Sequence, residues 1–205
     1  ETEAFGNGKQ AYAVRIGNTG NIVWEKNHGN PGTVFAKRIV ELPTGEMVIT
    51  GGTNTPPSSD IDNWAFKINA SGNIVQQHTV FDYSTSTPIV QNDDWNETVI
   101  LYNDSLVFAG KRSFDQSEPG NVYIYRYTQN LNSGDLGGFQ KFISNELEIA
   151  YDAKMTMDKG IIFACTASGM DTSASSIYLI KMDSTLTYPH PFFNSVSKQN
   201  DYTSL

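Results

Sequence analysis

An all-β chain built from repeated four-stranded units is what this sequence predicts, and three observations predict it. The stretch Asn63-Trp64-Ala65-Phe66-Lys67-Ile68-Asn69-Ala70-Ser71-Gly72-Asn73-Ile74-Val75 nearly copies an earlier one, Tyr12-Ala13-Val14-Arg15-Ile16-Gly17-Asn18-Thr19-Gly20-Asn21-Ile22-Val23. Each copy reads as strand, turn, strand, and two weaker copies follow. Thr, Ser, Asn, Gly and Tyr are plentiful while Leu, Ala and Glu are scarce, which favours strands joined by polar turns. Self-similarity at roughly fifty to sixty residues, four strands per unit, is the signature of a β-propeller, whose antiparallel sheets must stack because none covers its own two faces. A two-sheet sandwich accounts for the number of strands but not for strands recurring at the same offsets.

Taken in order, residues 1–10 are a polar lead-in, and the propeller occupies 11–205 in parts 11–30, 34–80, 96–143, 150–193 and 200–205. Tyr12, Val14 and Ile16 alternate with Ala13 and Arg15, the period of a half-buried strand. Asn18-Thr19-Gly20-Asn21 is a tight turn, and Ile22-Val23-Trp24 starts the returning strand. This pair corresponds to strands C and D of a unit. The first complete unit has A at 36–42, ended by Pro43-Thr44-Gly45, then B at 46–52, C at 63–69 and D at 73–79. The second has A, B, C and D near 97–102, 105–110, 122–128 and 138–143. The third has them near 151–157, 160–166, 176–182 and 186–193.

The register between units is tight. One shift sets Met47 on Leu106, Gly51 on Gly110, Trp64 on Tyr123, Phe66 on Tyr125 and Lys67 on Arg126. A second sets Met47 on Ile161, Trp64 on Tyr178, Phe66 on Ile180 and Lys67 on Lys181. Strand C thus carries an aromatic column (Tyr12, Trp64, Tyr123, Tyr178), an apolar column (Val14, Phe66, Tyr125, Ile180) and a basic one (Arg15, Lys67, Arg126, Lys181). Alternation puts the first two columns on one face and the bases on the other. Four bases in register could form an anion ring; the preferred reading is a stem laid over a sheet and a head paired with a carboxylate.

About 3.5 blades are counted in this way. The chain opens on a C–D pair without A and B, and Asp201 to Leu205 looks like the start of a further strand A. Either a small four-blade ring closes, or the chain is a fragment of a larger propeller cut in mid-blade, which is the favoured reading. An incomplete ring leaves an unpaired blade edge through which it could associate.

With a net charge of −8 and no basic run, a nucleic-acid partner is not expected. No apolar stretch approaches the length of a membrane span. Cys165, the single cysteine, lies in the apolar run Ile161-Ile162-Phe163-Ala164-Cys165 and reads as a buried small hydrophobe rather than a nucleophile. His28, His78 and His190 fall in or just after outer strands D and should point away from one another, so no shared metal site is expected. No G-x-S-x-G or H-E-x-x-H occurs. Asn69-Ala70-Ser71, Asn96-Glu97-Thr98 and Asn103-Asp104-Ser105 match the glycosylation pattern, as chance allows in so Asn-rich a chain.

Asp62, Trp64, Lys67, Asn69, Gly72 and Asn73, with Gly20, Asn21 and Trp24 in the first copy, resemble the D-x-W-x-x-K-x-D-x-x-G-N-x-x-W repeats of secreted and surface β-propeller proteins of bacteria. The third copy departs with a longer Gly-rich turn, and the fourth keeps Lys181 and Asp183 but loses Gly-Asn. The resemblance covers residues 11 to about 193 and implies a propeller exported to the cell surface or medium and acting in binding or assembly; it does not imply an activity. A second resemblance is to quinoprotein-type blades, in which a T-G-x-x-x-W phrase docks neighbouring blades through its Trp. Thr19 to Trp24 matches it, but Gln76 replaces the Trp in the second copy, and no cofactor is expected.

Function is therefore sought in the loops. The B–C loops carry Asp60 and Asp62, then Asp115 and Glu118, then Asp171; the D–A connection before the second unit holds Tyr83, Asp93, Asp94, Trp95 and Glu97. In a propeller these loops emerge on one face. Asp60, Asp62, Asp93, Asp94, Trp95, Asp115 and Asp171 are the candidate ligand-binding residues. Carboxylates around an exposed aromatic suit carbohydrate, a cation or glycosidic acid–base chemistry, although turns favour Asp and Ser in any case. The expectation is a non-catalytic extracellular or cell-surface binding and assembly module with a protein or carbohydrate partner. The alternatives are a glycoside-cleaving propeller using loop carboxylates, and a subunit or fragment of a larger surface complex.

Overall fold

The computed structural model describes residues 9–29, 32–54, 61–80, 95–112, 120–131, 137–142, 147–168 and 175–186. Among them are thirteen strands and no helix. All pairings are antiparallel between strands adjacent in sequence, so each sheet is a meander with short turns. Sheet I is β1 (Ala11–Ile16) and β2 (Ile22–His28). Sheet II is β3 (Thr33–Glu41), β4 (Met47–Asn54), β5 (Asp62–Ile68) and β6 (Ile74–Val80). Sheet III is β7 (Trp95–Tyr102), β8 (Ser105–Arg112), β9 (Asn121–Thr128) and β10 (Gly137–Phe142). Sheet IV is β11 (Leu147–Met155), β12 (Ile161–Ser168) and β13 (Ser175–Met182).

The sheets stack face to face in chain order. β1 touches β3, β7 lies against β3, β4 and β5, and β11 lies against β7, β8 and β9. Three apolar cores fill the three interfaces. Ala11, Val34, Ile49, Trp64, Phe66 and Ile68 lie between I and II; Val48, Ala65, Leu106, Phe108, Tyr123 and Tyr125 between II and III; Val107, Val122, Ile124, Phe163, Ile180 and Met182 between III and IV. Strand alternation explains the sorting: in β5, Trp64, Phe66 and Ile68 look back to sheet I while Ala65 looks forward to sheet III. All of β5 is buried because both faces are covered. Stacked rings, Trp64 on Phe66 at 4.2 Å and Phe108 on Tyr125 at 5.2 Å between centroids, fill the space.

The repeat is also written in the irregularities of the ladders. The first strands of sheets II, III and IV each have a bulge at the same place, after Ala36, Asn96 and Ala150. These strands begin at Thr33, Trp95 and Leu147, a few residues earlier than alternation indicates, because one inserted residue inverts the in–out pattern. Opposite the first two bulges stand Gly51 and Gly110, where a Cβ would meet the Phe35 carbonyl oxygen at 1.9 Å and the Trp95 carbonyl oxygen at 2.1 Å. Cys165 holds the corresponding place in sheet IV, paired with Ala150.

Turns at one end knit neighbouring sheets together. The Trp24 indole nitrogen and the Arg15 guanidinium both donate to the Ala70 carbonyl at 2.9 Å, and Lys26 reaches Asn73. Gly72 lies beneath the Trp24 ring, where a Cβ would come within 2.8 Å of it, and its φ of +75° is left-handed as well. The Trp of the T-G-x-x-x-W phrase therefore docks the next sheet. Tyr102 does the same for sheet IV, its hydroxyl proton shared between the Lys159 and Ser184 carbonyls. At the opposite end Val34 N–H donates to Lys9 C=O at 2.8 Å, and Glu148 N–H to Gly120 C=O at 3.0 Å, the same stitch made between two different pairs of sheets.

The expected third strand D, the start of a further strand at 200–205 and most of the lead-in lie outside the described residues. No described helix is long and apolar enough to cross a membrane.

Candidate functional site

Of the seven candidates, Asp60, Asp93, Asp94, Asp115 and Asp171 lie outside the described residues. Asp62 and Trp95 do not sit in loops: they are the first residues of β5 and β7, because the chain enters each ladder earlier than its alternation suggests. Both stand at the same end of the stack, on neighbouring sheets. Asp62 is buried there. Trp95 is half-buried, and a cluster of side chains forms around it.

That cluster draws on three strands. The Trp95 indole N–H donates to Glu97 Oε1 at 2.7 Å. Lys37 Nζ lies 3.0 Å from the same carboxylate oxygen and 5.5 Å from the Phe35 ring centre. Lys111, the cross-strand partner of Trp95, holds its ammonium 4.7 Å from the indole centre, a cation–π contact. Phe35 meets the indole edge-on at 6.5 Å. Local structure explains the grouping: Lys37 and Glu97 are the bulged residues of β3 and β7, and the bulge re-aims them toward each other across the sheet junction. One residue on, Arg38 of β3 pairs with Asp152 of β11. The first strands of sheets II and IV thus meet on either side of β7.

The charged groups of this rim are paired with one another. The Glu97 carboxylate is engaged by Lys37 and the indole, and that of Asp152 by Arg38. A glycoside hydrolase needs a carboxylic acid and a carboxylate with separate tasks, facing one another across a bond. Among the described residues, Glu97 and Asp152 each face a base instead. Phe35, Lys37 and Lys111 escaped sequence reasoning. Their signal was available only through the register, since Lys37 and Glu97 occupy equivalent bulge positions.

The remaining candidates are accounted for by packing. His28 is buried against Phe66 at 5.2 Å between ring centres, pointing into the I–II interface rather than outward as its strand suggested. Burial, with Lys26 nearby, lowers its pKa. The side chain of His78, and His190, lie outside the description. Burial, helped by Glu148, pushes the Cys165 thiol up to about 12, so it is no nucleophile at neutral pH. In the basic column, Lys67 pairs with Glu46 at 3.4 Å and Lys181 with Asp158 at 2.9 Å, both carboxylates belonging to the first turn of the same sheet. Asp158 is held down to about 2 by Thr156, Lys181 and the Gly160 amide. Of the glycosylation matches, Asn96 is buried and accepts from the Tyr125 hydroxyl at 2.8 Å. Asn69 accepts from the Ser71 and Asn73 amides within its turn. Among the described residues no group of three His, Cys, Asp or Glu side chains could hold a metal ion. No protein-family model matches this chain, and comparison with curated proteins finds no match.

Proposed function

We propose that this chain is a run of β-propeller blades acting as a non-catalytic binding module, secreted or held at the cell surface, with a carbohydrate ligand taken at the rim around Trp95. Sheets stacked in chain order, with the first strands of II and IV meeting on either side of β7, are what a propeller requires. The observation that carries the function is the Trp95 cluster itself. A half-buried indole is locked by Glu97 and flanked by Lys37 and Lys111. An indole offers sugar C–H groups an apolar platform, and neighbouring charged groups can exchange hydrogen bonds with hydroxyls. Engaging both carboxylates with bases favours binding over hydrolysis.

Titration of the protein with an oligosaccharide panel, followed by tryptophan fluorescence and calorimetry, tests this. The expected result is saturable binding that Trp95→Ala removes while circular dichroism stays unchanged. No binding across the panel, or binding indifferent to Trp95→Ala, refutes it. Export is checked by fractionating producing cells; a wholly cytosolic pool counts against it.

A further inference from the structure

The three junctions between sheets are filled differently at the turn end. Between I and II the filler is Trp24, paired across the ladder with Arg15, its ring lying over Gly72. The same ladder position holds Gln76 in sheet II, opposite Lys67, and Gly137 in sheet III, opposite Arg126. A glycine has no side chain to lay across the junction between III and IV. The receiving turns change too: Leu131 and Leu186 stand where Gly72 does, left-handed like it, with φ of +51° and +60° against +75°. Leu131 plugs its junction and is 2% exposed. Leu186 stays half-buried, and a cavity of about 100 Å³ remains beside it, lined by Val107, Ile124, Arg126, Met182, Thr185 and Leu186.

Arg126 is the charged group of that cavity. The other bases of its column are engaged: Arg15 with the Ala70 carbonyl, Lys67 with Glu46, Lys181 with Asp158. Arg126 is exposed, and among the described residues its guanidinium has neither an ion pair nor a hydrogen bond. Two local changes explain this. The carbonyl that corresponds to Ala70 is that of Ser184, and the Tyr102 hydroxyl already donates to it at 2.8 Å. The first turn of sheet III is also only Asn103 and Asp104, whereas residues 42–46 and 156–160 form the longer turns that bring Glu46 and Asp158 to their lysines. The Asp183 carboxylate, in the turn that borders the cavity, accepts from the amide and hydroxyl of Thr185.

We infer that this cavity binds a small carboxylate with an apolar body, the carboxylate on Arg126 and the body against Val107, Met182 and Leu186. A guanidinium presents a planar fork that matches a carboxylate, and an apolar lining with one placed charge is the usual make-up of a small-ligand site. The volume suits one ring or a short acyl chain. Residues 187–200, which follow Leu186, contain no Asp or Glu, so they supply no counter-charge. Asp135, two residues before Gly137, is the competing carboxylate nearest in sequence. The cavity lies at the opposite end of the stack from Trp95, and the two proposals fail separately.

Heteronuclear NMR of the full chain, titrated with benzoate and with its neutral isostere benzamide, tests this. Benzoate should shift the Arg126 and Leu186 resonances saturably, with a Kd in the millimolar range, and benzamide should bind at least about tenfold more weakly. Arg126→Gln should reduce benzoate to the level of benzamide, while Arg15→Gln, at an engaged base of the same column, should leave it unchanged. Leu186→Trp fills the cavity but keeps the charge and should abolish binding; it decides the matter if Arg126→Gln loses its circular dichroism. No saturable shift, equal binding of benzoate and benzamide, or benzoate binding indifferent to Arg126→Gln or, where that variant does not fold, to Leu186→Trp overturns the inference. Binding that appears only in Asp135→Asn overturns it as well, since that carboxylate would then be the occupant.

Discussion

Replacing Gly51 or Gly110 by alanine should be among the most damaging single-methyl changes in this protein. Neither glycine has a left-handed φ, so the reason is space. A Cβ at Gly51 would sit 1.9 Å from the Phe35 carbonyl oxygen and 3.1 Å from Ala36 Cα; at Gly110 it would sit 2.1 Å from the Trp95 oxygen and 2.9 Å from Asn96 Cα. Real contacts keep at least 3.0 Å, so the strands must part by about 1.1 Å (3.0 − 1.9) at the bulge. Losing two ladder hydrogen bonds costs about 2 kcal/mol, and overpacking strain adds about 1–3 kcal/mol. Against a urea slope of about 2 kcal/mol per molar, the resulting 3–5 kcal/mol lowers the midpoint by roughly 1.5–2.5 M. Cys165→Ala is the control, since that position already carries a Cβ; it should cost only the buried sulfur, about 1 kcal/mol. Urea unfolding of the three variants, followed by circular dichroism, decides the matter. Glycine variants within 1 kcal/mol of wild type, or an equally damaging Cys165→Ala, refute the steric account.

Three other outcomes are expected. Tyr125→Phe removes the buried bond to Asn96 and should cost about 1–3 kcal/mol; a double-mutant cycle with Asn96→Ala should recover a coupling above 0.5 kcal/mol, about the least that contacting residues show. The Cys165 thiol, raised by burial from 9.0 to about 12, stays neutral in the folded chain while the unfolded one ionises. Its stabilisation is full below pH 9 and is lost as pH rises toward 12. Denaturant midpoints measured across that window should therefore fall less steeply in Cys165→Ala, buried Tyr125 and Tyr178 accounting for part of the remaining slope. Lys159 has φ +61° in a turn bonded like that of Gly45 (φ +78°), so Lys159→Gly should raise stability by up to about 1 kcal/mol, read as a higher melting temperature.

The repeat was legible because its third strands obey simple alternation. Trp64, Phe66 and Ile68 against Ala65 and Lys67 give both the register and the faces, and the structure buries them as that pattern requires. The pairing of Lys67 and Lys181 with carboxylates was legible too, although the partners proved to lie in the same sheet. What could not be read was the first half of each first strand. A bulged residue inverts the alternation at Lys37, Glu97 and Tyr151, so Thr33 to Phe35 and Trp95 to Asn96 look like loop. Most of the candidate site lies in that blind stretch, which is why Trp95 reads as part of a connection and Phe35 and Lys37 escape notice; Lys111, on β8, becomes visible only as the cross-strand partner of Trp95. His28 misled for a different reason: an outer strand position does not reveal that its sheet is covered by the next.

The three cores, each shared by only two sheets, give the folded chain a nearest-neighbour energetics like that of a one-dimensional lattice. A sheet in the middle is held by two couplings and a sheet at an end by one. Amide exchange should then be slowest in β8 and β9 and fastest in β1 and β13, fraying inward from both ends. Such a chain can be lengthened or shortened by whole sheets without redesigning any of its cores, so duplication of a gene segment would suffice to make it grow.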